Sequence, residues 1–347
     1  YKRIVVKVGS NVLTRDDGTL DATRLSAIVD QVAKVRREGI EVILVSSGAV
    51  ASGRSELGSQ CGRMDQVSAR QLFSAVGQAK LINRYYDMFR EWGIACGQVL
   101  TTKESLGTRA HYLNQRNCMR VMIANGVIPI VNENDTISVT ELMFTDNDEL
   151  SGLISTMMDA ELLVILSNVD GIYDGFPGEP GASVIREIRK GTGDISGYVR
   201  AGSSRFGRGG MITKSRIARK VADEGIEVII ANGRKDGILA DLVLYGRDIT
   251  CTRFVPSEKP ISGVKKWIAH SDGFAKGELH INEGAYRALC QPSAASLLPV
   301  GVEKVVGDFE KDDIVRIIAP SGICIGVGRI GCDSTACRLS TSYRADE

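Results

Sequence analysis

The sequence is poor in histidine, in aromatic residues and in net charge. It holds three histidines and two tryptophans in 347 residues, with 5% aromatic residues and 43 Lys and Arg against 42 Asp and Glu. The balanced charge excludes a strongly basic nucleic-acid-binding arm, and the 43% hydrophobic content excludes a disordered or low-complexity chain. A chain of this length exceeds the usual single domain, so two domains are predicted.

Long apolar runs are also missing. The strongest run lies within 161–167 and has the length of a strand, well short of the roughly 18 residues that a membrane-spanning helix needs. The N-terminus lacks the apolar centre of a signal peptide, and the eight cysteines form no C-x-x-C pair. These features predict a cytoplasmic protein with no membrane segment and with buried, reduced thiols.

Several catalytic signatures are absent. His111, His270 and His280 lie far apart without acidic or cysteine partners, which disfavours a zinc site and histidine acid–base chemistry. No P-loop and no G-x-S-x-G elbow occurs. The one full G-x-G-x-x-G, at 326–331, is followed by only 16 residues (347 − 331), too few for a dinucleotide-binding unit, so a turn is predicted there.

Short β-branched runs alternate with amphipathic stretches over the first 250 residues. Several runs are continuously apolar, which is typical of a parallel sheet covered on both faces. The predicted strands are Arg3–Val8, Glu41–Val45, Ile94–Leu100, Val127–Val131, Leu162–Leu166 and Glu227–Ile230. One helix is predicted between Asp21, its N-cap, and Gly39. Further helices are predicted near 66–90, 105–125, 148–158 and 213–224. The fold class is therefore α/β, with an open, mainly parallel sheet sandwiched by helices.

The pattern changes after about residue 250. We predict a catalytic domain at 1–252, a linker at 253–274 and a small, mostly β domain at 275–347. Residues 256–347 contain 11 Lys and Arg against 12 Asp and Glu, a net charge of 11 − 12 = −1.

Polar and glycine-rich segments follow the predicted strands. Three of them could face an anion at one sheet edge: Lys7-Val-Gly-Ser-Asn11, Val45-Ser-Ser-Gly-Ala-Val50 and the loop at 205–214 that leads to Lys214. Asn132-Glu-Asn-Asp135 follows a strand, and Asp146-Asn-Asp148 begins a helix, where simple N-capping is the alternative explanation. The pattern at Asn132–Asp135 indicates a site for an ammonium, an amide or a metal-bound phosphate.

In this order, these segments resemble the amino acid kinase family, together with Ser167-Asn-Val-Asp-Gly-Ile-Tyr173. The acid-rich pair Asn132-Glu-Asn-Asp135 and Phe144-Thr-Asp-Asn-Asp148 is typical of the members that phosphorylate glutamate. The C-terminal domain is similar to a PUA domain through Gly277-Glu-Leu-His-Ile-Asn-Glu-Gly284. The resemblance implies transfer of the γ-phosphoryl group of ATP, with Mg²⁺, to the side-chain carboxylate of L-glutamate, the first step of proline biosynthesis.

The resemblance also implies roles for individual residues. Lys7 and Lys214 would stabilise charge on the transferred group, with Asp148 holding both ammonium groups. Glutamate would be bound by Ser47, Asp135 and Asn147, assisted by Asp146. ATP would contact Lys7, Gly9, Ser167, Asn168, Arg208, Gly209, Gly210, Met211, Ile212, Thr213 and Lys214. No protein side chain is expected to bind the metal, since the ATP phosphates would hold Mg²⁺.

Two residues depart from the family pattern. Asn168 stands where relatives commonly carry Asp, and Arg208 stands within Gly207-Arg-Gly-Gly210 where many carry Thr. The alternatives are a kinase acting on acetylglutamate, aspartate or carbamate, or an RNA-binding protein through the PUA-like domain, which its charge of −1 disfavours. The resemblance further implies feedback inhibition by proline, a homo-oligomer (dimer or tetramer), and channelling to a glutamyl-phosphate reductase.

Overall fold

The protein divides into two compact units. The computed structural model describes residues 1–58, 64–103, 106–137, 146–175, 180–190, 210–258, 275–291 and 296–342. The first unit comprises Tyr1–Thr102 and Arg116–Ile261, and the second comprises Lys103–Gln115 and Ser262–Glu347. Residues 103–115 thus group with the C-terminal part of the chain.

The first unit is built on an eight-stranded sheet with the order β3-β4-β2-β1-β5-β7-β8-β6. The strands are β1 Arg3–Val8, β2 Glu41–Ser46, β3 Cys96–Thr101, β4 Ile128–Glu133, β5 Leu162–Ser167, β6 Glu187–Ile188, β7 Glu227–Asn232 and β8 Thr252–Phe254. All neighbouring pairs are parallel except β7 and β8. The mainly parallel α/β sheet predicted from the sequence is confirmed, and β8 extends it into the start of the predicted linker.

Helices connect these strands. They are α1 Ser10–Leu13, α2 Ala22–Arg37, α3 Ala49–Leu57, α4 Gln66–Glu91, α5 Arg109–Ala124, α6 Asn147–Met157, α7 Met211–Asp223 and α8 Ile238–Val243. As predicted, Asp21 caps α2, its side chain accepting a hydrogen bond from the Arg24 amide.

The core lies at the centre of the sheet. Every residue of β5 is buried, as are five of the six residues of β1 and of β2, in agreement with their continuously apolar sequences. A parallel strand with helices on both faces has no solvent-exposed face, so it needs no alternation of polar residues. Lys7 and Ser46 are buried polar exceptions at the carboxyl ends of β1 and β2.

The second unit contains a four-stranded sheet with the order β10-β9-β11-β12. Its elements are β9 Gly277–Ile281, α9 Glu283–Leu289, β10 Val302–Gly307, β11 Ile314–Ile318, β12 Cys324–Arg329 and α10 Ser334–Ser342. The prediction of a turn at 326–331 is wrong for Gly326 and Gly328, which lie in β12 and pair with β11. Backbone pairing with β11 needs no side chain, so glycines are tolerated there.

The prediction of buried thiols holds only in part. Cys251 and Cys337 are buried, but Cys118, Cys290 and Cys324 are exposed. None of the described cysteines forms a disulfide. In the described part of the chain, no helix is both long and apolar enough to cross a membrane.

Candidate active site

The residues singled out from the sequence meet at the carboxyl ends of four adjacent strands. β4, β2, β1 and β5 are neighbours in the sheet, and each is followed by one of the predicted polar segments. In a parallel sheet these ends share one edge, where ligands of α/β proteins bind.

Asp148 bridges the two predicted catalytic lysines. Its Oδ1 lies 2.5 Å from Lys7 Nζ and its Oδ2 lies 3.0 Å from Lys214 Nζ. Asp148 is fully buried in the first turn of α6, Lys7 is the penultimate residue of β1 and Lys214 lies in the first turn of α7. Three separate elements therefore hold two positive charges close together.

Gly9 provides space beside Lys7. A β-carbon at residue 9 would lie 3.5 Å from Lys7 Nζ and 3.2 Å from the Leu166 carbonyl oxygen. The Gly9 amide donates a hydrogen bond to that carbonyl, which draws the loop after β1 against β5. A larger residue would have to displace the β5 carbonyl to fit here.

Asp146 and Asp148 have opposite pKa shifts. Burial disfavours the Asp148 carboxylate, but the charges of Lys7 and Lys214 outweigh this and lower its pKa. Burial and the neighbouring Asp148 charge raise the pKa of Asp146 to about 6. Asp146 is also the N-cap of α6, accepting hydrogen bonds from the Asp148 and Glu149 amides. Capping therefore accounts for part of its presence here.

A chain of side-chain hydrogen bonds adjoins the lysines. Asn147 Nδ2 donates to Ser47 Oγ at 2.9 Å and to Asn132 Oδ1 at 3.0 Å. Asn132 Nδ2 in turn donates to Gln78 Oε1 at 2.8 Å. The hydroxyl and amide N–H groups among them can donate hydrogen bonds to a bound carboxylate without adding charge.

Asp135 lies beside Arg70 of α4. Arg70 Nε donates to Asp135 Oδ1 at 2.8 Å, and its Nη2 donates to the same oxygen and approaches Glu133 Oε2 at 3.4 Å. Burial raises the pKa of Asp135, and the Arg70 charge and Ser74 oppose that rise. Asp135 is thus a buried carboxylate at which an ammonium group would be stabilised.

Helix α4 supplies polar side chains that the sequence analysis missed. Arg70, Ser74 and Gln78 recur every four residues and so share one face of the helix, towards the polar end of β4. Ser74 and Gln78 are buried, which is unusual for polar residues on a helix. The four-residue spacing is visible in the sequence, but it does not by itself show that these side chains face buried groups instead of solvent.

The loop after β2 is fixed from the same helix. Ser46 Oγ lies 2.7 Å from the hydroxyl oxygen of Tyr85, and both side chains are fully buried. The Ser46 hydroxyl also donates to the Ser47 carbonyl. Tyr85 therefore orients the residue that precedes Ser47.

Five of the predicted nucleotide-binding residues, Gly210 to Lys214, form the start of α7. Gly210 is the N-cap and has no side chain with which to cap the helix. The amides of Met211, Ile212 and Thr213 lie in the first turn, at the end of a helix where an anion is stabilised. Ser167 is buried at the end of β5, next to an exposed Asn168. The predicted positions Arg208 and Gly209 lie outside the described residues.

Protein ligands for a metal are scarce in the described part of the site. The described residues include no group of three or more His, Cys, Asp or Glu that could hold a metal ion. Both oxygens of Asp148 are paired with lysines.

Comparison with known proteins gives a consistent result over nearly the whole chain. The amino acid kinase family matches residues 2–232, and the PUA domain matches residues 277–346. A glutamate 5-kinase of Bacteroides thetaiotaomicron is 66% identical, over 97% of this chain and 93% of its own length. A glutamate 5-kinase of Chlorobaculum tepidum is 47% identical, over 99% and 94% respectively.

A solved structure supports the fold independently. An isopentenyl phosphate kinase has a TM-score of 0.52 at 20% identity, covering 73% of this chain and all of its own (100%). At that identity the likeness concerns the fold alone. From the family matches and the close relatives together, the chain belongs to the amino acid kinase family, and within it to the glutamate 5-kinases.

Proposed function

We propose that this protein transfers the γ-phosphoryl group of ATP to the side-chain carboxylate of L-glutamate, giving L-glutamyl 5-phosphate for proline biosynthesis. The observation that carries the proposal is the Lys7–Asp148–Lys214 arrangement beside the Asn147–Ser47 hydrogen bond. It sets two cations next to neutral groups that can hold a carboxylate.

The chemistry needs charge stabilisation more than proton transfer. A glutamate side chain has an ordinary pKa near 4.3, so it is ionised at neutral pH and attacks without a general base. One of its oxygens forms a bond to the γ-phosphorus while the bond from that phosphorus to the ADP oxygen breaks. In this proposal, Lys7, Lys214 and the first amides of α7 would stabilise the negative charge on the transferred group.

Asp148 acts as a positioning residue in this proposal. By pairing one oxygen with each lysine, it holds the two ammonium groups near each other despite their mutual repulsion. ATP would enter as its Mg²⁺ complex, with the ion held by phosphate oxygens.

Asp135 supports glutamate over acceptors without a charged amine. Its buried carboxylate would pair with the α-ammonium group of glutamate, which N-acetylglutamate and carbamate both lack. Asn147, Ser47 and Asn132 would bind carboxylate oxygens of the substrate, with Asp146 fixing the start of α6.

A hydroxamate assay for the acyl phosphate tests the proposal. Purified protein is incubated with ATP, Mg²⁺ and hydroxylamine, with L-glutamate, N-acetyl-L-glutamate, L-aspartate or carbamate as acceptor, and ADP release is followed in parallel. We expect product with L-glutamate and little with the others. Product formed only with another acceptor would overturn the assignment.

The wider functional setting is also a proposal. The relatives' role suggests a cytoplasmic enzyme, a homo-oligomer, inhibition by proline and delivery of the labile product to a glutamyl-phosphate reductase. RNA binding through the PUA domain is disfavoured by the charge of −1 over residues 256–347 (11 − 12).

A further inference from the structure

The Arg70 guanidinium has hydrogen-bond donors beyond those that it uses in its ion pair with Asp135. Both of its hydrogen bonds to Asp135 go to Oδ1, so the guanidinium leaves Oδ2 to other partners. Among the described residues, Nη1 of Arg70 has no hydrogen-bond acceptor, and the Arg70 side chain is 24% exposed. Arginine presents several donors in a planar fork that suits a carboxylate.

The geometry of an α-amino acid places its two charged groups side by side. The ammonium nitrogen and the carboxylate carbon are bonded to the same α-carbon, each bond being about 1.5 Å long. A substrate whose ammonium group binds Asp135 therefore brings its α-carboxylate close to Arg70.

Electrostatics requires a cation at this position. Without Arg70, the α-carboxylate would approach Asp135 and Glu133, whose side chains are 7% and 4% exposed. Repulsion between carboxylates is strong where water is largely excluded. Arg70 contacts both of these acids, so its charge lies where it offsets the repulsion.

We propose that Arg70 binds the α-carboxylate of the acceptor and so selects free α-amino acids. This inference rests on the proposed function and adds a specificity residue to it. Asp135 and Arg70 together would recognise the two charged groups on the α-carbon. Ser47 and Asn147 would hold the distal carboxylate that becomes phosphorylated.

A simpler role for Arg70 makes a different prediction. If Arg70 only holds Asp135 in position for the α-ammonium group, its loss weakens the binding of every acceptor that carries that group. If it binds the α-carboxylate, its loss weakens only acceptors that carry that group.

The test compares L-glutamate with its α-amide, L-isoglutamine. Both carry the α-ammonium and the same distal carboxylate, and they differ only in the charge of the α-carbonyl group. For the wild-type protein, we expect kcat/KM to favour L-glutamate by about 30-fold or more, the usual effect of losing a buried charged partner. For Arg70→Gln, we expect that preference to fall to within about 3-fold, a difference of less than 1 kcal/mol.

Two further variants complete the experiment. Arg70→Lys keeps a charge but loses the fork, so its preference should lie between those of the wild type and Arg70→Gln; it also carries the test if Arg70→Gln does not fold. Arg84→Gln removes an exposed arginine from the same helix and should keep the full preference.

Three results would be decisive. An equal loss of kcat/KM for both acceptors in the Arg70 variants would overturn the proposal, as would a wild-type protein that does not distinguish the two acceptors. A wild-type protein inactive with both acceptors, yet active with another, would instead refute the proposed function.

Discussion

Gly53 of α3 lies directly against the backbone of Phe73 in α4. A β-carbon at residue 53 would be 1.9 Å from the Phe73 carbonyl oxygen. A second glycine, Gly77 of α4, meets α3 in the same way, because its β-carbon would lie 1.8 Å from the Ala49 carbonyl oxygen. The helices therefore touch backbone to backbone, and this contact holds the first turn of α3, which follows Ser47, against α4.

Replacing Gly53 by alanine should therefore disturb both stability and substrate binding. The added methyl group meets a backbone atom that no side-chain rotation can move, so we expect a loss of about 3 kcal/mol or more in the free energy of unfolding. The KM for glutamate should also rise, since α3 carries the loop that presents Ser47. Urea unfolding and steady-state kinetics measure the two effects.

Gly326→Ala is the control for Gly53→Ala. No heavy atom lies within 4 Å of the β-carbon that alanine would add there, so stability and kinetics should stay close to those of the wild type. A Gly53→Ala protein as stable as the wild type would contradict the tight packing of α3 on α4.

Loss of the Lys214 charge should mainly affect the chemical step. Lys214→Met keeps much of the side-chain volume but removes one of the two cations paired with Asp148. We expect kcat to fall by about 10³-fold or more, because a preorganised charge at the transferred group is lost. Turnover with saturating ATP and glutamate measures this effect.

The matched variant for Lys214→Met is Lys34→Met, which removes an exposed lysine from α2. It should leave kcat unchanged. If Lys214→Met retained more than about a tenth of wild-type turnover while folded, a loss of under 1.4 kcal/mol, Lys214 would have no catalytic role.

Asp135→Asn should raise the KM for glutamate more than it lowers kcat. The amide keeps the shape of the side chain but loses the negative charge that would pair with the α-ammonium group, so an increase of about 30-fold is expected. In the wild type, the raised pKa of Asp135 means that the KM should increase as the pH falls towards that pKa. An unchanged KM in the variant would remove Asp135 from the substrate site.

The sequence predicted the strands of the central sheet better than the packing around the site. A short, continuously apolar segment such as Leu162–Leu166 is typical of a buried parallel strand, and the structure has one there. The polar residues at the ends of such strands then had to share an edge. Asp148 could be assigned to the lysines only through the family resemblance, because both lysines are distant from it in the sequence. Lys214 lies more than 60 residues after Asp148, and Lys7 lies more than 100 residues before it.

The contribution of α4 could not be predicted in the same way. Its apolar positions indicate a packed helix, and a local pattern does not reveal that Arg70, Ser74 and Gln78 face buried polar groups instead of solvent. The same holds for Gly53 and Gly77, whose role depends on a helix crossing formed only in the tertiary structure.

Asp146→Asn should make the protein more stable at neutral pH. Because the pKa of Asp146 is raised to about 6, the folded protein binds more protons here than the unfolded protein between about pH 4 and pH 6. The wild type therefore loses stability at this site as the pH rises through that range. Asparagine removes the charge yet still accepts hydrogen bonds as an N-cap, so at pH 7.5 we expect a gain of about 1–2 kcal/mol.

The pH dependence separates this effect from ordinary capping. In urea unfolding, the advantage of Asp146→Asn should shrink towards zero at pH 4, where the wild-type Asp146 is protonated. Asp65→Asn, at the N-cap of α4, is the matched control, because hydrogen bonds from the Ser68 side chain and backbone lower the pKa of Asp65. The change in stability should have the opposite sign. Asp65→Asn should be less stable than the wild type at pH 7.5, and the difference should diminish in acid. An Asp146→Asn protein that is less stable than the wild type at pH 7.5 would show that burial beside Asp148 does not penalise the Asp146 charge.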